Sequence, residues 1–149
     1  MAQFYLTSFK VNADKGLDQR PDNMAWSSAV YQPNWLPQLP KAEWMDIRPD
    51  GKNWIRPREF IDQDRPLDEY FQALAELYAS RQAEVEEWIE RLTTYHNIIC
   101  CWCPYDRAAK RQIERWGTFV CHTAAVGDFL QGLGYEVLAD EDRKIMVRP

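Results

Sequence analysis

A chain of 149 residues, 46% of them hydrophobic and 28% charged, suits a single domain that buries roughly 70% of its unfolded surface. Its net charge of −5 argues against global attraction to nucleic acid or to an anionic membrane. No apolar run approaches the ~18 residues that a membrane span needs.

The start, Met1-Ala2-Gln3-Phe4-Tyr5, lacks the basic-then-apolar pattern of a secretory leader, so a cytoplasmic protein is expected. In a reducing compartment the four cysteines are free thiols or ligands rather than disulfides. Phe4–Phe9, rich in aromatic residues, predicts a first strand. From Lys10 to Pro66 the texture changes. Pro21, Pro33, Pro37, Pro40, Pro49, Pro57 and Pro66 fall here with Trp26, Trp35, Trp44 and Trp54, which predicts loops held by aromatic side chains, interrupted by one strand over Glu43–Arg48.

Pro66 opens a helical region. Leu67, Tyr70, Phe71, Leu74, Leu77 and Tyr78 recur at helical spacing, and Val85, Trp88, Ile89 and Leu92 continue it beyond Ser80-Arg81-Gln82, as two helices or one bent helix. Ile98–Cys103 reads as a buried strand. Asp106 caps a predicted helix with Ala109, Ile113 and Trp116 inward and Arg107, Lys110, Arg111, Glu114 and Arg115 outward. A last helix begins between Thr118 and Thr123 and stops at Gly134. Tyr135–Ala139 and Lys144–Arg148 predict a closing hairpin. The fold class that follows is α/β: one domain over 1–149, with a small, mostly parallel sheet, flanking helices, a Pro/Trp-rich loop segment at 10–66 and a C-terminal antiparallel hairpin.

Ligand sites in such sheets lie beyond the carboxyl ends of the strands. Three strand ends carry suggestive groups: Thr7-Ser8 with Lys10, Asp46 with Arg48, and Cys101 with Cys103. On a strand, Cys101 and Cys103 point to one face and Cys100 to the other, where it packs in the core. Their Cα atoms would stand roughly 7 Å apart, at the outer limit for a bridge. Cys121 falls in a first helical turn, where backbone N–H groups favour a thiolate. His122 shares the stripe of Val126, Phe129 and Leu133, so it is either a base beside the thiols or a hydrogen-bonded core histidine. Asp46 and Arg48 share a strand face, either as a plain salt bridge or as an anion clamp in which the carboxylate orients the guanidinium.

Cys101, Cys103, Cys121 and His122 have the donor types of a Cys₃His zinc site, but adjacent Cys-His on a helix start diverge by about 100°. No metal and no cofactor are therefore expected. Serine-hydrolase, dinucleotide-fold and P-loop motifs do not occur. Basic residues with Trp54 in the loop and the basic face of the Asp106 helix are poor grounds for nucleic-acid binding in an acidic chain.

Ile99-Cys100-Cys101-Trp102-Cys103, then Cys121-His122, a helix and Gly134-Tyr135-Glu136-Val137 resemble the bacterial family known as domain of unknown function 488. A related family carries Cys-Trp-Cys followed by Cys-His. Phe4–Phe9 and Asp46-Ile47-Arg48-Pro49 are similar to the first family's opening strand and Asp-Val-Arg segment. The resemblance covers both ends of the chain and implies a compact α/β fold without a secure activity. Thr123 stands where that family has arginine after Cys-His, and seventeen residues separate Cys103 from Cys121.

The functional expectation is a thiol-lined pocket for a small, anionic molecule at the strand carboxyl ends. Cys103, Cys121 and His122 would carry any chemistry, and Thr7, Ser8, Asp46, Arg48 and Cys101 would hold the ligand. Two other readings stand beside it: a protein-interaction module using the Trp/Pro-rich segment, and a structural metal-binding domain.

Overall fold

The computed structural model describes residues 1–29, 33–36, 38–42, 44, 57–101, 106–117 and 122–139, with the backbone alone at 57, 106–109 and 122. Four strands, β1 (Gln3–Ser8), β2 (Asn23–Ser27), β3 (His96–Cys101) and β4 (Glu136–Ala139), form one sheet in the order β2-β3-β1-β4. Every pairing is parallel. The sheet agrees with the expected α/β class. The turn and second arm of the expected hairpin lie outside the described residues, and β4 itself pairs with β1.

Strand alternation divides the core in two. Phe4, Leu6, Ile99 and Cys101 point to one face, covered by α3 (Leu67–Ser80), α4 (Gln82–Arg91) and α6 (His122–Gly132). Ile98, Cys100 and Ala25 point to the other, covered by Phe9 of α1 (Phe9–Lys15) and Leu17 of a 3-10 turn, Leu17–Gln19. Each fully buried Leu, Ile or Phe contributes about 1.5–3 kcal/mol to this arrangement.

Helix α1 replaces the loop expected after Phe9. Its signals are local: the Ser8 hydroxyl caps the helix by accepting from the Val11 N–H at 3.0 Å, and Gly16 ends it with φ +59°, a conformation that costs a side-chain-bearing residue more. Strand β2 likewise lies in the segment read as loops. Its outer edge is partly covered, since Ser27 N–H donates to the Pro40 carbonyl at 2.9 Å. Of the strand expected over Glu43–Arg48 only Trp44 is described; it is buried and in a 3-10 conformation.

Trp44 ties the proline-rich segment to the helices. Its ring lies 5.3 Å from Trp88 and 6.1 Å from Tyr78, both edge-on, and its carbonyl accepts from Arg81 Nη1 at 3.3 Å. Arg81 also separates α3 from α4, so the helical region is two helices. Helix α6 approaches the sheet closely at Gly127. A Cβ there would stand 2.6 Å from Leu6 Cδ1 and 3.3 Å from Val137 Cγ1.

Helices α5 (Asp106–Trp116) and α2 (Pro57–Asp62) pack together with Trp116 inward as expected, but Ile113 departs from the expected face. Ile113, read as inward, is 53% exposed, whereas Gln112 is 3% exposed. The cause is polar docking. Arg111 pairs with Asp62 and Arg115 with Asp64, while Trp116 stacks on Tyr70 and donates its indole N–H to the Arg65 carbonyl at 3.0 Å. The helix is thereby rotated about its axis, carrying Ile113 outward. Arg111 and Arg115 are committed to neighbouring carboxylates rather than arrayed for a polyanion.

Candidate functional site at the strand carboxyl ends

Chain connections define the switch point of the sheet. β1 continues into α1 on one face of the sheet, while α5 and then α6 follow β3 in the chain, α6 packing on the opposite face. β1 and β3 are hydrogen-bonded neighbours, with Ser8 opposite Cys101 at their carboxyl ends. Adjacent parallel strands whose connections diverge to opposite faces leave a gap beyond those ends, the usual ligand position in α/β sheets.

The described side chains at these strand ends are polar and buried. Thr7, Ser8, Ser27, Ser28, Thr123, Cys100 and Cys101 are each 2% exposed or less. The Cys101 thiol donates to the Thr7 carbonyl, with Sγ 3.6 Å away. The Ser28 hydroxyl donates to the Cys100 carbonyl at 2.8 Å and stands 3.2 Å from Thr123 Oγ1. A hydroxyl has one proton, and that of Ser28 is directed at Cys100, so Thr123 is the donor in the second contact. Ser27 Oγ accepts from the Ala29 N–H at 3.3 Å. Strand ends β2 and β3 and the first turn of α6 are thus joined by short side chains.

Several expected site residues are among these side chains or adjoin them. Thr7, Ser8 and Cys101 are among them, Ser8 being spent on the α1 cap. Lys10, beside them in sequence, forms an exposed ion pair with Asp14 at 2.9 Å. His122 is the first residue of α6, described by its backbone alone. Asp46, Arg48, Cys103 and Cys121 lie outside the described residues. Cys100 faces away from Cys101, each thiol in its own core cluster. Among the described residues, no group of three or more His, Cys, Asp or Glu side chains could hold a metal ion.

Ser27, Ser28 and Thr123 were not singled out by sequence as site residues. The Ser27-Ser28 pair gains meaning only once β2 is known to end there. The surroundings of Thr123 suit a short hydroxyl side chain. The residue is wholly buried against Ser28, a place that would strand a guanidinium.

No family model matches the chain, and neither a curated protein nor a solved structure matches it. The family resemblance therefore rests on the quoted motifs. Cavities of about 510, 360 and 150 Å³ bounded by described residues lie elsewhere: at the strand amino ends, beside Trp26 and Trp88, and near Trp116.

The tryptophans bear on the interaction reading. Trp44 is core, and Trp26 is half-buried, donating its indole N–H to Asn97 Oδ1 at 3.0 Å. Trp35, at 57% exposure, is the exposed member among the described residues of that segment. Among the described residues no helix is long and apolar enough to cross a membrane.

Proposed function

We propose that this protein binds a small anionic molecule in the crevice at the carboxyl ends of β1 and β3, with thiols at its rim. The observation that supports the reading most is the divergence of the two neighbouring strands' connections beside buried hydroxyls and thiols. In this reading Thr7, Ser8 and Cys101 form the floor, Arg48 clamps the anion and Asp46 orients Arg48. Cys103 and Cys121 are the thiols that meet the ligand. Where the ligand is also a substrate, one of them is the nucleophile and His122 takes its proton.

Two alkylating reagents test the site and its charge preference together. Iodoacetamide is neutral and iodoacetate anionic; each forms a carbon–sulfur bond to a thiolate and releases iodide. Native protein should be modified at Cys103 and Cys121 well before Cys100 and Cys101, and iodoacetate should be favoured relative to free cysteine. Arg48→Gln should remove that preference while leaving the iodoacetamide rate in place. Simultaneous labelling of all four thiols, only on unfolding, would sink the reading.

A further inference from the structure

The largest cavity named above is at the opposite edge of the sheet, about 510 Å³ and within the size range of small-molecule sites. Its origin is in the register. Gln3, His96 and Asn23 are the first residues of β1, β3 and β2 and are aligned across the sheet. By strand alternation they continue the face of Tyr5, Ile98 and Ala25. The cover over that face, α1 and the Leu17–Gln19 turn, passes to one side, so Lys15, Leu17, Arg20 and Pro21 form a wall and the polar strand starts form the floor.

The charge on this cavity is one-sided. Among the described residues, Lys15, Arg20 and His96 line it together with the side-chain amides of Gln3 and Asn23, and no carboxylate does; the Asn97 amide is turned to the other face, where it accepts from Trp26. Asp18 and Asp22 belong to the same loop but are not among the lining residues. Lys15 and Arg20 join no ion pair among the described residues. His96 is oriented by a 2.8 Å hydrogen bond between Nδ1 and Gln3 Oε1 and by an edge-on contact with Tyr95, ring centres 4.5 Å apart. Because Gln3 Oε1 accepts, Nδ1 carries a proton and Nε2 is left facing the cavity, where it donates to an anion only from the doubly protonated ring.

The wall is held in shape from within. Asn12, buried beneath it, accepts from the Asp18 N–H at 3.1 Å, and Asn23 Nδ2 donates to the Leu17 carbonyl at 3.0 Å. The carboxyl end of α1 adds about half a negative charge nearby, which two full cations and an imidazole outweigh.

We propose that this amino-end cavity is a second binding site, for an organic phosphomonoester. The phosphate sits among Lys15, Arg20 and His96, and the organic body lies over Tyr5, Leu17 and Ile98. A carboxylate has two oxygens and one charge, which a single guanidinium saturates. A phosphomonoester brings three terminal oxygens and a charge of about −1.5 to −2 at pH 7, matching three separated basic groups. The cavity is far larger than a phosphate alone and has an apolar side, so the ester's organic part has a place as well.

Titration calorimetry on the full chain at about 50 mM salt, where screening is moderate, tests this with phenyl phosphate and inorganic phosphate as probes. Phenyl phosphate should bind one to one and more tightly than inorganic phosphate. Lys15→Gln with Arg20→Gln should weaken it about a hundredfold, near tenfold per charged contact. Lys10→Gln, which removes the same charge from α1 on an exposed paired lysine, should leave it unchanged. No binding at about 10 mM probe, a free energy weaker than roughly −3 kcal/mol, or an undiminished affinity in the double variant would overturn the proposal. Alkylating Cys103 and Cys121 should leave phenyl phosphate binding intact. Binding lost on alkylation but kept in the double variant would place the anion at the carboxyl-end crevice and refute the amino-end site alone.

Discussion

The Ser28–Thr123 contact joins the end of β2 to the first turn of α6, and its strength can be read by removing each hydroxyl. Thr123→Val keeps the shape and deletes the donor to Ser28, whose own proton remains on the Cys100 carbonyl at 2.8 Å. One buried hydrogen bond is lost, about 1 kcal/mol. Ser28→Ala does more. It strips the Cys100 carbonyl of one donor, the Ser28 N–H at 2.9 Å remaining, and removes the hydroxyl facing Thr123 Oγ1. An expected cost is about 1–3 kcal/mol, since two buried contacts are lost at once, each worth about 0.5–1.5 kcal/mol. The two losses overlap, so the double variant should be less destabilised than the sum by about 0.5–1 kcal/mol. Urea denaturation with an unchanged slope measures all three variants, and in a chain of this length 1 kcal/mol corresponds to roughly 2–4 °C in Tm. A coupling within about 0.3 kcal/mol of zero, or Thr123→Val costing more than Ser28→Ala, would refute this bonding scheme.

The rotation of α5 predicts an inverted tolerance: Ile113→Lys should change stability by less than about 0.5 kcal/mol, while Gln112→Lys should cost about 1–3 kcal/mol by burying a charge. Equal effects in thermal melts would show that the helix docks as its apolar periodicity first suggested. At Gly127, where a Cβ already meets Leu6 Cδ1 at 2.6 Å, Gly127→Leu should destabilise by about 1–3 kcal/mol even after the helix-propensity gain of about 1 kcal/mol. A neutral result in urea would mean that α6 lies further from β1 and β4.

Long, strongly periodic segments were legible in the sequence because periodicity and burial have a common cause. α3, α4 and β3 appear where their apolar spacing places them. β2 was not legible. Its five residues, Asn-Met-Ala-Trp-Ser, alternate weakly, and the surrounding prolines suggest loops, while its strand character comes from pairing with β3, 71 residues away at the Trp26–Asn97 hydrogen bond. α1 had readable caps in Ser8 and Gly16, but the aromatic run Phe4–Phe9 masks the point at which strand gives way to helix. The error at α5 is of a third kind. Its amphipathic pattern is strong, yet ion pairs to α2 and the Trp116 anchor set its rotation. For the candidate site, sequence located the strand ends and the first turn of α6, but not the hydroxyls of Ser27 and Ser28, which a missed strand delivers.

Burial sorts the thiols that drew attention first. Cys100 and Cys101 have no exposed surface and sit in the two core clusters on opposite faces of β3. Alkylation of either sulfur requires a local opening around β3, one of the two inner strands. If such an opening costs about 5 kcal/mol, at the low end of global stability for a small domain, the accessible fraction is about 10⁻⁴. Their alkylation would then be slowed about ten-thousandfold relative to an exposed thiol of the same intrinsic reactivity. The helix-terminus effect expected at Cys121 is far smaller, at most about 1 kcal/mol, or less than one pKa unit. Accessibility therefore outweighs activation as the first cause of any difference among the four cysteines. A rate gap of several decades would report burial alone. The charge preference for iodoacetate, and its dependence on Arg48, is what separates a built anion site from two thiols that merely lie outside the core.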